Sequence, residues 1–146
     1  YFLPCIELVF SSLSGSVEIG GVTRIGLRYI NQIDILDREL LLSKYFKIIP
    51  NPISLILGKE IGFQSTSQHL IDDSDNTNIR LTLAENPDLM VLKTGDHKIV
   101  LDIDVFSLHD REAEQGICID WLNKAKELAK KVFEDAVSED GKALFN

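Results

Sequence analysis

Residues 22 to 34, Val-Thr-Arg-Ile-Gly-Leu-Arg-Tyr-Ile-Asn-Gln-Ile-Asp, alternate in character with a period of two, and that alternation constrains the chain more than any other stretch. In an extended strand Thr23, Ile25, Leu27, Tyr29, Asn31 and Ile33 share one face, and Arg24, Gly26, Arg28, Ile30 and Gln32 share the other. The first face is mostly apolar and suits a core. The second carries two arginines that must reach water or a counter-charge. Gly20, Gly21 and Gly26 lie in or beside this strand, where a bulge or a close backbone approach is expected.

The last third holds the clearest helix. Cys118, Trp121, Leu122, Ala125, Leu128, Ala129, Val132, Phe133 and Ala136 recur at spacings of three and four, while Asp120, Lys124, Glu127, Lys130, Lys131, Glu134 and Asp135 occupy the remaining positions. This pattern predicts an amphipathic helix docked on a sheet, with Phe133 in the core. A second helix is expected over residues 3 to 13, with Pro4 in its first turn, Ile6, Val9, Phe10 and Leu13 on one stripe, and Gly15 as its stop. Asp37 is placed to cap a short helix over 38 to 46, ended by Pro50 and Pro52.

Between these helices the pattern is strands and turns. Residues 61 to 70 form a polar strand suited to an edge, the run Asp72-Asp73-Ser74-Asp75-Asn76 turns, and Ile79, Leu81 and Leu83 alternate with Arg80 and Thr82 on the way back. Asn86-Pro87-Asp88 turns again, and Leu89 to Leu92, a turn at Thr94-Gly95-Asp96 and Lys98 to Phe106 read as a second hairpin. Local hairpins with segregated helices predict an α+β fold: a mainly antiparallel β-sheet with the N-terminal and C-terminal helices packed on one face.

The 146 residues read as a single α+β domain over 1 to 146. A chain of that length buries roughly 68 to 70% of its unfolded surface, so neither metal nor disulfide is needed for folding. At 45% apolar and 26% charged residues it resembles ordinary globular chains, and no apolar run reaches membrane-spanning length. The apolar opening lacks a basic flank and carries Glu7, which argues against a secretory signal. The chain begins without Met, so an upstream portion of the full-length protein is expected.

The first 71 residues balance six acids against six bases, so the whole net charge of −8 lies beyond them. General nucleic-acid binding needs local cationic excess and is therefore disfavoured. Cys5 and Cys118 are far apart in sequence with no metal-ligand spacing, and read as buried reduced thiols in a cytoplasmic protein.

Asp102 and Asp104 in Leu-Asp-Ile-Asp-Val are the sharpest chemical pair, since alternate strand positions put both carboxylates on one face about 7 Å apart. Two such acids can hold a divalent cation for hydrolysis. The alternative is structural: pairing with Arg24 and Arg28, which predicts all four on one sheet face, on neighbouring strands or strands one apart. Arg24, Arg28, Tyr29 and Asn31 together form a candidate anion or partner contact. Asp73, Asp75 and Thr77 open like a calcium loop, but Asn78 and Ala84 stand where it needs Gly and Glu. His69, His97 and His109 are isolated and suit solvated or capping roles, and Cys118 on a buried stripe is badly placed for nucleophilic attack.

The segment Thr23-Arg24-Ile25-Gly26-Leu27-Arg28-Tyr29-Ile30-Asn31 resembles the hallmark of a sporadically distributed, uncharacterised prokaryotic protein family. In that family a helix precedes the segment, a Leu-Asp-Ile-Asp-like strand follows, and a terminal helix carries a pattern like Trp121-Leu122-Asn123 and Phe133. The resemblance implies a missing upstream strand and helix, and it implies no established activity and no catalytic residues. The polar stretch at 64 to 68 and the inserted-looking Asn86 to Asp96 depart from the pattern and leave the order of strands open.

Two function classes follow. The first is a noncatalytic binding or assembly module with no cofactor, meeting a protein partner or forming a homo-oligomer, away from membranes. The second is a divalent-metal-dependent hydrolase or nuclease using Asp102 and Asp104.

Overall fold

In a computed structural model the described residues are 2–17, 21–36, 40–49, 63–72, 74, 76–85, 97–111 and 115–145. Four strands form one antiparallel sheet: β1 (Val22–Ile35), β2 (Gln64–Asp72), β3 (Thr77–Glu85) and β4 (His97–Arg111), in spatial order β1-β4-β3-β2. The helices are α1 (Phe2–Ser14), α2 (Leu42–Tyr45), α3 (Gln115–Ala136) and α4 (Glu139–Lys142), followed by a 3-10 turn at Ala143–Phe145. The fold is α+β, with helices near both ends of the chain and an open antiparallel sheet between.

The longest strand, β4, lies inside the sheet because its alternate residues Ile99, Leu101, Ile103 and Val105 are apolar and lose essentially all contact with water. Ile33 and Ile35 of β1 and Ile79 and Leu83 of β3 extend the same inner face. Helix α3 covers it through Trp121, Leu122, Ala125, Ala129 and Ala136. The alanines lack bulk, so the helix backbone lies close to the strands, and the one large ring is placed by chemistry as well as packing. Trp121 Nε1 donates to Thr77 Oγ1 at 3.2 Å within the core, satisfying two polar groups that burial would otherwise penalise.

A small clasp closes the C-terminal end. Phe46 and Val137 form an antiparallel bridge, flanked by Lys47 N donating to Ala136 O and Ser138 N to Tyr45 O, both at 2.9 Å. The Ser138 hydroxyl accepts from Gly141 N at the start of α4 and donates to Lys44 O. Gly141 is buried, and a Cβ there would run into the Tyr45 carbonyl and the Val137 side chain.

Several expectations are corrected. The helix expected over 38 to 46 is the single turn Leu42–Tyr45, and Leu41, which precedes it, makes no side-chain cap. Tyr45 and Phe46 instead turn inward to the clasp, because the run of apolar residues there exceeds what one helical face can hide. Phe133 is half-buried at the rim of the core, against Phe145 edge-to-face at 5.2 Å. Cys5 is exposed because α1 packs against α3 and leaves much of its own surface in water; both thiols are free. Burial raises the Cys118 thiol pKa, which weakens it as a nucleophile. Asp37, Pro50, Pro52, the strand expected at 89 to 92 and the turn at 94 to 96 lie outside the described residues. Among the described residues no helix is long and apolar enough to cross a membrane.

Candidate functional site

The register of β1 on β4 sets Arg28 opposite Asp104, Ile30 opposite Asp102 and Gly26 opposite Phe106. Because opposed residues share a face, the side chains of Arg24, Arg28, Asp102 and Asp104 emerge on the side of the sheet away from α3. Neither arginine pairs straight across: Arg28 takes the diagonal Asp102, and Arg24, opposite Leu108, reaches four residues along β4 to Asp104. Arg28 Nε and Nη2 donate to the two oxygens of Asp102 at 2.8 and 2.6 Å, a bidentate fork. Arg24 Nη2 donates to both oxygens of Asp104, at 3.3 and 3.1 Å. The four charges therefore share one face on neighbouring strands, as the sequence predicts for structural pairing.

The pairs have a defined layering. The carboxylate side chains are 12% and 15% exposed for Asp104 and Asp102, whereas Arg24 and Arg28 are 50% and 58% exposed. The guanidinium groups thus roof the carboxylates and present their remaining donors to water. The Asp102 hydrogen bond, with the charge of the same carboxylate, raises the Arg28 pKa, so Arg28 stays cationic at any pH the fold survives.

A third strand contributes what sequence reading missed. Arg80 of β3 lies opposite Asp104 on its other side, and Arg24 and Arg80 bring their guanidinium carbons to 5.0 and 5.5 Å from the centre of the Phe106 ring. Phe106 is buried although it points away from the helix, so the cations supply the cover that a second layer would supply elsewhere. Gly26 makes this possible. A Cβ at Gly26 would meet Arg24 Nη1 at 2.8 Å and its guanidinium carbon at 3.2 Å, so the missing side chain is the channel through which Arg24 folds back over Phe106. Arg80 also donates to Gln68 Oε1 of β2 at 3.3 Å, and Thr66 and Thr82 share a hydrogen bond at 3.0 Å, carrying the polar face to the far edge.

Tyr29 and Asn31 are not part of this cluster. Their odd numbering turns them to the α3 side, where Asn31 Nδ2 donates to Leu101 O at 3.1 Å. With Ile103, Lys126, Lys130 and Phe133 they line an open cleft of about 290 Å³ between the β1 edge and α3. The four residues grouped as an anion or partner contact therefore divide into two arginines on one face and a tyrosine and an asparagine on the other.

The candidate metal ligands Asp102 and Asp104 both have their oxygens engaged by arginine, so a cation there would have to displace two guanidinium groups. Among the described residues no cluster of three or more histidine, cysteine or acidic side chains is arranged to hold a metal ion. His69 lies 3.1 Å from Ser67 Oγ in an exposed position. His97 is less solvated than its isolation in sequence suggests: its Nδ1 lies 2.8 Å from Glu85 Oε1, where the end of β3 meets the start of β4. Compared with family models, curated proteins and solved structures, the chain matches none.

Proposed function

We propose that this chain is a noncatalytic binding or assembly module of a cytoplasmic prokaryotic protein, with the β1 side of the sheet as its recognition element. The observation that carries this reading is the pairing of Arg24 with Asp104 and Arg28 with Asp102. A metal or a reacting group needs carboxylate oxygens held out for it, and those of Asp102 and Asp104 are taken up by the two arginines. What the pairs achieve is mechanical: bonds across the outer face tie β1 to β4. The same strand presents Tyr29 on one face and Ile30 on the other as large, water-exposed contact groups. An exposed aromatic on one face of a strand and an exposed apolar side chain on the other suit contact along that strand rather than a reaction centre. The likeness of residues 23 to 31 to an uncharacterised prokaryotic family supports the source, and two free thiols support a reducing compartment.

Thermal melts with Mg²⁺, Mn²⁺ and EDTA test the reading. A cation at a hundred times its dissociation constant would stabilise by about 2.7 kcal/mol. At roughly 2 to 4 °C per kcal/mol that is a rise on the order of 5 to 10 °C. No shift is expected. A Mn²⁺-dependent rise that disappears in Asp102→Asn with Asp104→Asn would replace this function with the metal-dependent hydrolase or nuclease.

A further inference from the structure

We propose that the partner recognised by β1 is a second copy of this chain, paired antiparallel along β1 about a two-fold axis through Tyr29. This rests on the binding-module reading and names its partner. The result would be an eight-stranded sheet in the order β2-β3-β4-β1-β1-β4-β3-β2, with both α3 helices on one side.

The first support is the state of the edge. β1 stands at the end of the strand order, and among the described residues no strand pairs with its outer side. Isolated proteins guard such edges with lysine, proline, bulges or short length. β1 runs 14 residues, contains neither lysine nor proline, and is irregular only between Val22 and Arg24 at its start. Its two arginines do not guard the edge either, since both reach across the sheet to carboxylates of β4. Among the described residues nothing pairs with the row of outward backbone donors and acceptors from Arg24 onward, which is flanked by Tyr29 at 40% and Ile30 at 62% exposure.

The second support is self-complementarity, which points to a copy rather than to another partner. A two-fold axis normal to the sheet pairs residues whose numbers have a constant even sum. Centred on Tyr29, the pairing runs over 23 to 35 and sets Arg24 opposite Asp34 of the partner subunit, once on each side of the axis. Asp34 is 59% exposed, and both of its contacts, Gln32 Nε2 donating at 3.5 Å and Lys98 Nζ at 3.7 Å, fall on Oδ1, so Oδ2 has capacity for a second cation. On the α3 side the same register places Ile25 against Ile33 of the partner subunit, and Tyr29 against Tyr29 of the partner subunit. On the other face Ile30 covers the stem of Arg28 of the partner subunit. Neighbouring registers lose this match. Centring on Arg28 opposes Arg28 to itself, and centring on Ile30 leaves Asp34 facing Gly26. The Tyr29 register therefore combines nearly the full strand length with opposite charges at both ends.

Sedimentation of the unmodified chain gives the first readout: a mass twice 16.4 kDa that dissociates on dilution is expected. A monomer at all concentrations, or an open-ended series of larger species, would overturn the proposal. Register is read by disulfide trapping in a Cys5→Ser, Cys118→Ser background. Opposed residues in an antiparallel pair lie about 4.5 to 5.5 Å apart at Cα, within disulfide reach. Tyr29→Cys should cross-link to a dimer under mild oxidation, and Leu27→Cys alone should not. Cross-linking at residue 27 in preference to 29 would refute the register. Asp34→Lys, which sets like charges opposite Arg24 twice, should weaken dimerisation on the order of tenfold; an unchanged dissociation constant would refute the charge match. A metal-stabilised monomer would defeat the binding-module reading, whereas a metal-indifferent monomer would defeat only the choice of partner.

Discussion

At the residue scale the unusual object is Phe106, an aromatic ring on the open side of the sheet that is nevertheless hidden. Its cover is two guanidinium groups, and one of them depends on the absence of a side chain at Gly26. Gly26→Ala should therefore act through Arg24. We expect it to shift the guanidinium off Phe106 and Asp104, losing about 1 kcal/mol of half-exposed cation–π contact and ion pair, against which Ala gains about 0.5 to 1 kcal/mol over Gly within a strand, so the net change is small and the coupling is the readout. In a double-mutant cycle with Arg24→Ala the two changes should be non-additive by most of that loss; full additivity in denaturant melts would show that Gly26 does not serve Arg24. A second residue prediction concerns Asp72, which accepts from Lys124 Nζ at 2.8 Å and from Ser74 Oγ and N at 2.6 and 2.9 Å. These bonds, Lys124 first, hold its carboxyl far below the ordinary carboxylate range. A folded-state pKa that is depressed stabilises the fold above the unfolded value, about 4, and that contribution is lost as pH falls below it. The melting temperature of Asp72→Asn should thus lie below the parent's at pH 7, with the gap closing steadily on acidification under pH 4. A gap independent of pH would mean that the ionised carboxylate is not what stabilises.

At the element scale α3 is the helix that the sheet anchors. α3 lies across β4 and β1 and buries its alanine-rich face, but its stripe outruns the sheet toward the β1 edge, where Phe133 meets Phe145 and the open cleft. Phe133→Ala should consequently cost about 1 to 2 kcal/mol, roughly half of a fully buried ring's contribution. Trp121, which fills the core and donates to Thr77, should cost more: Trp121→Ala on the order of 3 to 5 kcal/mol in denaturant melts. Equal losses at the two positions would contradict this placement. Gly141→Ala should cost about 1 to 3 kcal/mol through overpacking, because backbone rather than a flexible tip blocks the added methyl group. These cases also show what sequence could supply. The faces of β1 and the buried stripe of α3 were legible because a period of two or 3.6 fixes side-chain direction locally. The partners were not legible. That Arg24 meets Asp104 follows from β1 and β4 being neighbours, and that Arg80 joins them at Phe106 follows from β3 lying on the other side of β4; strand order is set by long-range packing. Phe106 shares the parity of Asp102 and Asp104, so its face could have been assigned, although nothing local says that cations would cover it. Phe133 was misjudged because periodicity gives the direction of a side chain and not the width of the sheet beneath it.

At the scale of the whole molecule, the described residues form one helix-covered sheet whose protection from solvent should fall from the centre outward, and native-state hydrogen exchange can map that order. β4 is hydrogen-bonded on both sides and its inward residues Ile99, Leu101 and Val105 have no measurable exposure, so its amides should open only with global unfolding. β3 is also paired on both sides and should exchange nearly as slowly. Among the described residues β2 is bonded on one side and it is largely exposed along its length, so half of its amides should exchange fast whatever the protein concentration. β1 is the discriminating element. As an isolated edge it would behave like β2, with alternate amides fast and the inward-bonded ones slow. As the seam of a two-fold dimer, its outward amides gain partners from the other copy, and their protection must rise with concentration as the dimer population rises. We expect outward amides between residues 24 and 34 to slow by roughly two- to threefold when concentration is raised tenfold from the dissociation midpoint, as the monomer fraction falls from about one half to about one fifth by mass action, while β2 stays unchanged. Concentration-independent exchange along β1, with β2 and β1 behaving alike, would show that both ends of this sheet are true edges in solution.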